Sequence, residues 1–173
     1  MAWDEDAHRA PREIVARDVG WSVIDAAYTP DSAAVAYSSW SPAVHLVTFG
    51  GDHAADGDDD DGVSMPPAAT HTALDMNASG ARIAFFSLDI NQGGLLAGCS
   101  DGRVYLYDLN GGALVGRGGI EGGEDVNAVT FLDDGGVTFA TGGDDGLLHI
   151  WDRRMLGLGS SSSSGGGGGG GDG

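Results

Sequence analysis

Ala140-Thr-Gly-Gly-Asp-Asp-Gly-Leu-Leu-His-Ile-Trp-Asp152 lies without a gap over Leu96-Ala-Gly-Cys-Ser-Asp-Gly-Arg-Val-Tyr-Leu-Tyr-Asp108, 44 residues earlier. Gly98 matches Gly142, and Asp101-Gly102 matches Asp145-Gly146. Val104 and Leu106 match Leu148 and Ile150, and Tyr107-Asp108 matches Trp151-Asp152. A fainter copy stands 60 residues before the first, with Val44 and Leu46 at the strand positions and Ser41-Pro42 in place of Asp-Gly. Each copy has the same physical plan. Asp-Gly makes a tight hairpin turn in which Gly supplies positive φ. The alternating apolar residues after it form one face of a strand, and an aromatic anchors the strand end.

Outward from these copies the texture is all-β, with short apolar or alternating runs bounded by Gly, Asp, Asn, Pro or Ser. Strands are expected near Val23–Tyr28, Val35–Ser38, Val44–Thr48, Thr70–Asp75, Ile83–Ile90, Leu95–Ala97, Val104–Tyr107, Ala113–Val115, Val126–Phe131, Thr138–Thr141 and Leu147–Trp151. No window of helical length carries a clean 3.6-residue apolar stripe. A period of about 40–45 residues that closes on Trp-Asp resembles the WD40 repeat, one four-stranded propeller blade per repeat. The resemblance implies a WD40 β-propeller fragment of three blades, the third without its outer strand. A propeller closes with about four to eight blades, so three do not make a closed ring. Open blade faces and strand edges are then expected to seek partners.

Residues 1–18 are polar and mixed and are expected to be disordered, with the partial propeller over 19–156. The stretch 157–173, with its Ser run and Gly run, is a low-complexity tail that cannot bury a core. The extra 16 residues between the fainter copy and the next match the acidic segment 50–67, read as an insertion in a repeat loop. The chain has 173 residues and a formal charge of −18. That balance opposes nucleic-acid phosphates and anionic membranes. Neither a secretory signal nor an apolar run of about 20 residues is visible.

Phe-Ala-Thr-Gly-Gly-Asp-Asp-Gly-Leu-Leu-His-Ile-Trp-Asp-Arg-Arg, from Phe139 to Arg154, resembles the DWD box of WD proteins that serve as substrate receptors of cullin-4 RING ubiquitin ligases. Asp145 stands at the first acidic position of the box, Ile150 before Trp151, then Asp152, and Arg154 at the terminal arginine. In the family that arginine helps dock the ligase adaptor, itself a larger propeller. A guanidinium fork is a frequent interface anchor. The other copy ends Tyr107-Asp108-Leu109-Asn110 and has no arginine. Trp21-Ser-Val-Ile-Asp25, Tyr37-Ser-Ser-Trp-Ser41, Thr70-His-Thr-Ala-Leu-Asp75 and Asp125-Val-Asn-Ala-Val129 are similar to the WD-repeat-23-like branch and its plant LEC14B-like relatives. That resemblance implies a receptor for protein ubiquitination and proteasomal degradation in the nucleus or cytoplasm. Its partners would be the cullin-4 adaptor and protein substrates, the latter on the opposite face or the central opening. Two departures stand out. The family's array continues where this chain has Ser and Gly. The histidine that joins the turn Asp and the Trp in many WD repeats is missing from Glu121-Gly-Gly-Glu-Asp125, so that network is expected to be incomplete.

No catalytic, cofactor or metal site is expected. No nucleophile–base arrangement stands out. Asp56, Asp58 and Asp60 imitate an EF-hand start, but Asp61 and Pro67 fill the places that need Gly and Glu. His8, His45, His53, His71 and His149 lack metal-ligand spacing, and His45 and His149 read as structural. Cys99, the single cysteine, reads as core, and Trp21 and Trp40 are read as core rather than as partner anchors. The alternatives to the receptor reading are a WD scaffold without a ubiquitin role and a non-functional fragment of the receptor.

Overall fold

The computed structural model describes residues 13–31, 33–49, 69–76, 83–119 and 123–157. They form three antiparallel sheets, each laid down in chain order. The first is β1 (Val23–Tyr28), β2 (Ala34–Ser39), β3 (Val44–Phe49) and β4 (Ala69–Leu74). The second is β5 (Phe85–Asn91), β6 (Gly94–Cys99), β7 (Arg103–Asp108) and β8 (Ala113–Gly119). The third has only β9 (Val126–Phe131), β10 (Thr138–Gly143) and β11 (Leu148–Asp152). The leading strands lie side by side, β5 between β1 and β9. This is a partial propeller, and the described residues form no closed ring. All eleven expected strands are present. The expected strand at Ala113–Val115 runs on to Gly119 because its glycines make room for Leu156 rather than breaking the strand. A Cβ on Gly116 or Gly118 would fall 2.8 or 2.5 Å from that leucine's side chain.

Local chemistry explains the repetition. At the β6–β7 turn Asp101 Oδ1 accepts from the Arg103 N–H at 3.1 Å, and at the β10–β11 turn Asp145 Oδ1 accepts from the Leu147 N–H at 2.9 Å. Gly102 and Gly146 follow at φ +79° and +71°, a conformation that costs glycine little. Each leading pair also carries a bulge at the same place, leaving Ile24, Phe86 and Asn127 as the extra residues. The residue after each of the first two bulges reaches across to the next sheet. Asp25 Oδ2 accepts from the Leu88 N–H at 2.7 Å, and Ser87 Oγ accepts from the Val129 N–H at 3.2 Å.

The core fills the two gaps between sheets. Strand alternation sends Leu95, Ala97, Tyr105 and Tyr107 to the first gap and Leu96, Val104 and Leu106 to the second. The middle sheet is therefore buried on both faces, and its strands read as nearly continuous apolar runs. Val104 and Leu106 are 1% and 3% exposed, covered by Val129 and Phe139 of the third sheet. Their repeat partners Leu148 and Ile150 have the same pattern but no following sheet among the described residues, and are 74% and 70% exposed.

Two expectations change. Trp21 and Trp40 are exposed rather than core. Trp21 precedes β1, and Trp40 sits in the β2–β3 turn with its ring tilted on Phe86 at 5.5 Å. Cys99 is fully buried, as expected. His45 is buried and stacked on Tyr37 at 5.1 Å, its pKa lowered mainly by burial. Before β1, the Arg17 N–H donates to the Tyr37 hydroxyl at 2.7 Å, and Ser39 Oγ donates to the Asp18 carbonyl. The acidic segment 50–67, with its EF-hand-like aspartates, falls between β3 and β4 and lies outside the described residues, as do residues 1–12 and 158–173. No helix among the described residues is long and apolar enough to cross a membrane.

The repeat equivalence sets up a direct test. A Cβ on Gly98 would meet the Val126 carbonyl at 2.7 Å and the Val126 and Val129 side chains at 3.0 Å, whereas one on Gly142 meets nothing closer than 3.9 Å. Gly98→Ala therefore overpacks the gap between the second and third sheets and lowers stability by about 1–3 kcal/mol. Gly142→Ala stays within about 0.5 kcal/mol of the parent. Urea unfolding followed by tryptophan fluorescence measures both.

Candidate functional site

The residues that the sequence singles out lie along β11 and the 3-10 turn after it, Arg153–Met155. Among the described residues β11 is held on one side only, by β10, with Phe139 opposite Trp151 and Thr138 opposite Asp152. The Trp151 indole stacks on Phe139, centroids 6.1 Å apart and planes within 6°. Its N–H donates to Thr141 Oγ1 at 2.9 Å. That satisfies the one polar atom of the anchor, as a packed tryptophan requires.

Asp152 organises the end of the strand. Its Oδ1 accepts from the Arg154 N–H at 2.9 Å and caps the 3-10 turn. Arg154 Nε reaches Oδ1 and Oδ2 at 2.8 and 3.0 Å, and Nη2 also meets Oδ2. The side-chain bonds and then the backbone bond from Arg154 hold the Asp152 carboxyl down to about 2, and the same contact raises the arginine's pKa. The guanidinium is exposed at the tip, so it stands as a pre-oriented, charged donor fork. In the second sheet the Asn110 N–H makes the same turn contact with Asp108 Oδ1 at 2.9 Å. The turn is common to both repeats, and the fork belongs to the third alone.

The structure brings Asp152 and Arg154 together, with Trp151 anchoring the strand next to them. It does not bring Asp145 to them. Asp145 stands in the β10–β11 turn, at the other end of a strand that rises about 3.3 Å per residue, so the two ends are roughly 15–20 Å apart. Ile150 lies between, on the open sheet face. Asp145 Oδ2 meets His149 Nε2 at 3.0 Å, and this contact, then the Leu147 N–H, lowers the Asp145 pKa. The second sheet repeats the contact with a different side chain, since the Tyr105 hydroxyl donates to Asp101 Oδ2 at 2.6 Å. Part of the network expected to lack a histidine is thus supplied from β11 itself. His149 lies near Trp151, with centroids 6.0 Å apart.

Two cavities flank the strand. An apolar one of about 250 Å³ lies at the Asp145 end, lined by Val104, Val126, Thr141, Glu124, His149 and Trp151 among others. A polar recess of about 290 Å³ lies at the Arg154 end, between the second and third sheets, lined by Asn91, Gln92, Tyr107, Asp108, Phe131 and Arg153 among others. Sequence reasoning passed over Arg153, although the Arg-Arg pair was a visible signal in so acidic a chain. No group of three or more His, Cys, Asp or Glu side chains suited to a metal occurs among the described residues.

The family description "WD domain, G-beta repeat" matches residues 118–152, the span from the end of β8 to the end of β11. The chain contains a WD40 repeat domain. This domain is 33% identical over 156 residues to the LEC14B protein of Lithospermum erythrorhizon, covering 84% of the chain and 30% of that protein. It is 28% identical over 155 residues to the LEC14B homolog of Prunus armeniaca, with the same coverages. Against the DDB1- and CUL4-associated factor 11 homolog of Caenorhabditis elegans it is 25% identical over 139 residues, covering 78% of the chain and 22% of that protein. The WD40 chain therefore spans less than a third of the length of these relatives.

The Asp152–Arg154 clasp has a pH signature. A carboxylate with a depressed pKa favours the folded contact above its ordinary value of about 4, and that contribution is lost as pH falls through the depressed value. Carboxyl-detected NMR should place the Asp152 midpoint at about 2. Arg154→Ala should move it upward toward the ordinary aspartate range, with the Asp133 midpoint unchanged.

Proposed function

We propose that this WD40 domain is a protein-interaction module of a cullin-4 RING ubiquitin-ligase substrate receptor, docking the ligase adaptor through the end of β11. The reading rests on one observation above all. The only repeat that ends Trp-Asp-Arg-Arg presents Arg154 as an exposed fork held by Asp152. The likeness to a DDB1- and CUL4-associated factor 11 homolog supports the same assignment. Arg154 would be the anchor, Asp152 its positioning residue, and Trp151 the packed base that keeps the strand end rigid. Ile150 would contribute from the open face. Asp145, at the far end, would act through the β10–β11 turn rather than at the same contact. Protein substrates would bind elsewhere, toward the face that carries the β6–β7 and β10–β11 turns. The place of action would be the nucleus or cytoplasm.

A second reading, a WD scaffold with no ubiquitin role, is favoured by one feature of the same site. Asp152 already engages two of the three guanidinium nitrogens, which leaves fewer donors for a partner. Pull-down of the cullin-4 adaptor by tagged chain separates the two. With circular dichroism unchanged, Arg154→Ala should weaken recovery by about thirtyfold in Kd, the loss typical of an interface anchor worth about 2 kcal/mol. No recovery by a folded parent would support the scaffold instead, and equal recovery by parent and variant would mean that the adaptor docks without Arg154.

A further inference from the structure

All eight of the Lys+Arg residues in this chain are arginine; there is no lysine. That composition bears on the chemistry of the proposed ligase. Ubiquitin transfer to a protein uses an unprotonated amine as nucleophile. The amine nitrogen attacks the thioester carbonyl joining the ubiquitin C-terminus to its carrier cysteine. A C–N bond forms, the C–S bond breaks, the carrier leaves as thiolate, and the amine proton passes to a base. A lysine ammonium can lose its proton and enter this step, whereas a guanidinium stays protonated and does not.

The structure closes the next alternative. A cysteine could take the same acyl group on sulfur, but Cys99 is fully buried in the gap between the first two sheets. Burial also pushes its thiol up to about 12, so neither access nor thiolate is available. Serine and threonine hydroxyls are weak nucleophiles without an adjacent base.

We infer that this domain is a lysine-free receptor surface, unable to take ubiquitin on its own side chains while it holds a substrate beside the loaded carrier. The inference rests on the receptor reading above. It assigns the domain a form of self-protection, in which transfer goes to the bound partner because the domain's own side chains offer no competing amine.

Arg17 and Arg117 provide the test. Arg17 lies exposed ahead of β1, and Arg117 is half-buried on β8, the outer strand of the second sheet. The full chain, with its N-terminus acetylated to remove the α-amine, would be incubated with reconstituted cullin-4 ligase, ubiquitin, activating and conjugating enzymes and ATP. Arg17→Lys and Arg117→Lys would be run beside it, and co-precipitation with the ligase measured in the same samples. The expected result is equal binding by all three, no conjugate on the parent, and hydroxylamine-resistant isopeptide conjugate on at least one lysine variant. Conjugate on the parent at the level of the variants would overturn the inference. So would binding by all three without conjugate on either variant, since position and not chemistry would then explain the protection. Failure of the folded parent to bind the ligase would instead overturn the receptor reading, and the inference with it.

Discussion

Burial of the middle sheet on both faces is the constraint on which the rest of this structure depends. Strand alternation divides β6 and β7 between two cores, with Leu95, Ala97, Tyr105 and Tyr107 on one side and Leu96, Val104 and Leu106 on the other. Neither core exists without a neighbouring sheet, so the sheets stabilise one another in sequence, as stacked repeats do. Fully burying each large apolar side chain contributes about 1.5–3 kcal/mol. The hydrogen bonds that Asp25 and Ser87 accept from the following leading strand set the spacing at which this burial occurs. Gly98 permits that spacing because it places no Cβ against Val126.

The third sheet is where this arrangement runs out among the described residues, and it is also where the candidate site lies. β11 is an edge strand, with Leu148 and Ile150 exposed where their counterparts are covered. Edge strands and open apolar faces are regions that proteins cover with further structure or with partners. After Asp152 the chain turns back instead of outward. Leu156 packs into the second core, and Gly157 bridges to Arg117 on β8. This return anchors the far end of the 3-10 turn that carries Arg154, although among the described residues its strand is paired on one side only.

The site was legible where its chemistry is local. Asp152 and Arg154 are two residues apart, close enough for one carboxylate to cap the turn and clasp the side chain together. The reading failed where an outcome depended on distant partners. Trp21 and Trp40 are large and apolar, which argued for core, yet Trp21 stays largely exposed and Trp40 is covered only in part, by Phe86. The strand expected at Ala113–Val115 stopped short of Gly116 because nothing in the sequence shows that Leu156 needs the space the following glycines leave. The missing histidine near Gly123 pointed to an open network. The contact that His149 makes with Asp145 was hidden because it required knowing that β11 alternation turns His149 toward the turn.

By itself the sequence determined the strands, the turns and the repeat. Asp-Gly chemistry and period-two alternation act over a few residues, and both are written in the order of the chain. Only the tertiary structure decided which of two identical patterns is buried. Val104 and Leu148 occupy the same place in the same motif, and one is sealed while the other faces outward. Burial belongs to what lies across the gap, and the motif does not contain that information. The same holds for the candidate site along β11, where Asp145 and Arg154 share one sixteen-residue motif but stand at opposite ends of a strand.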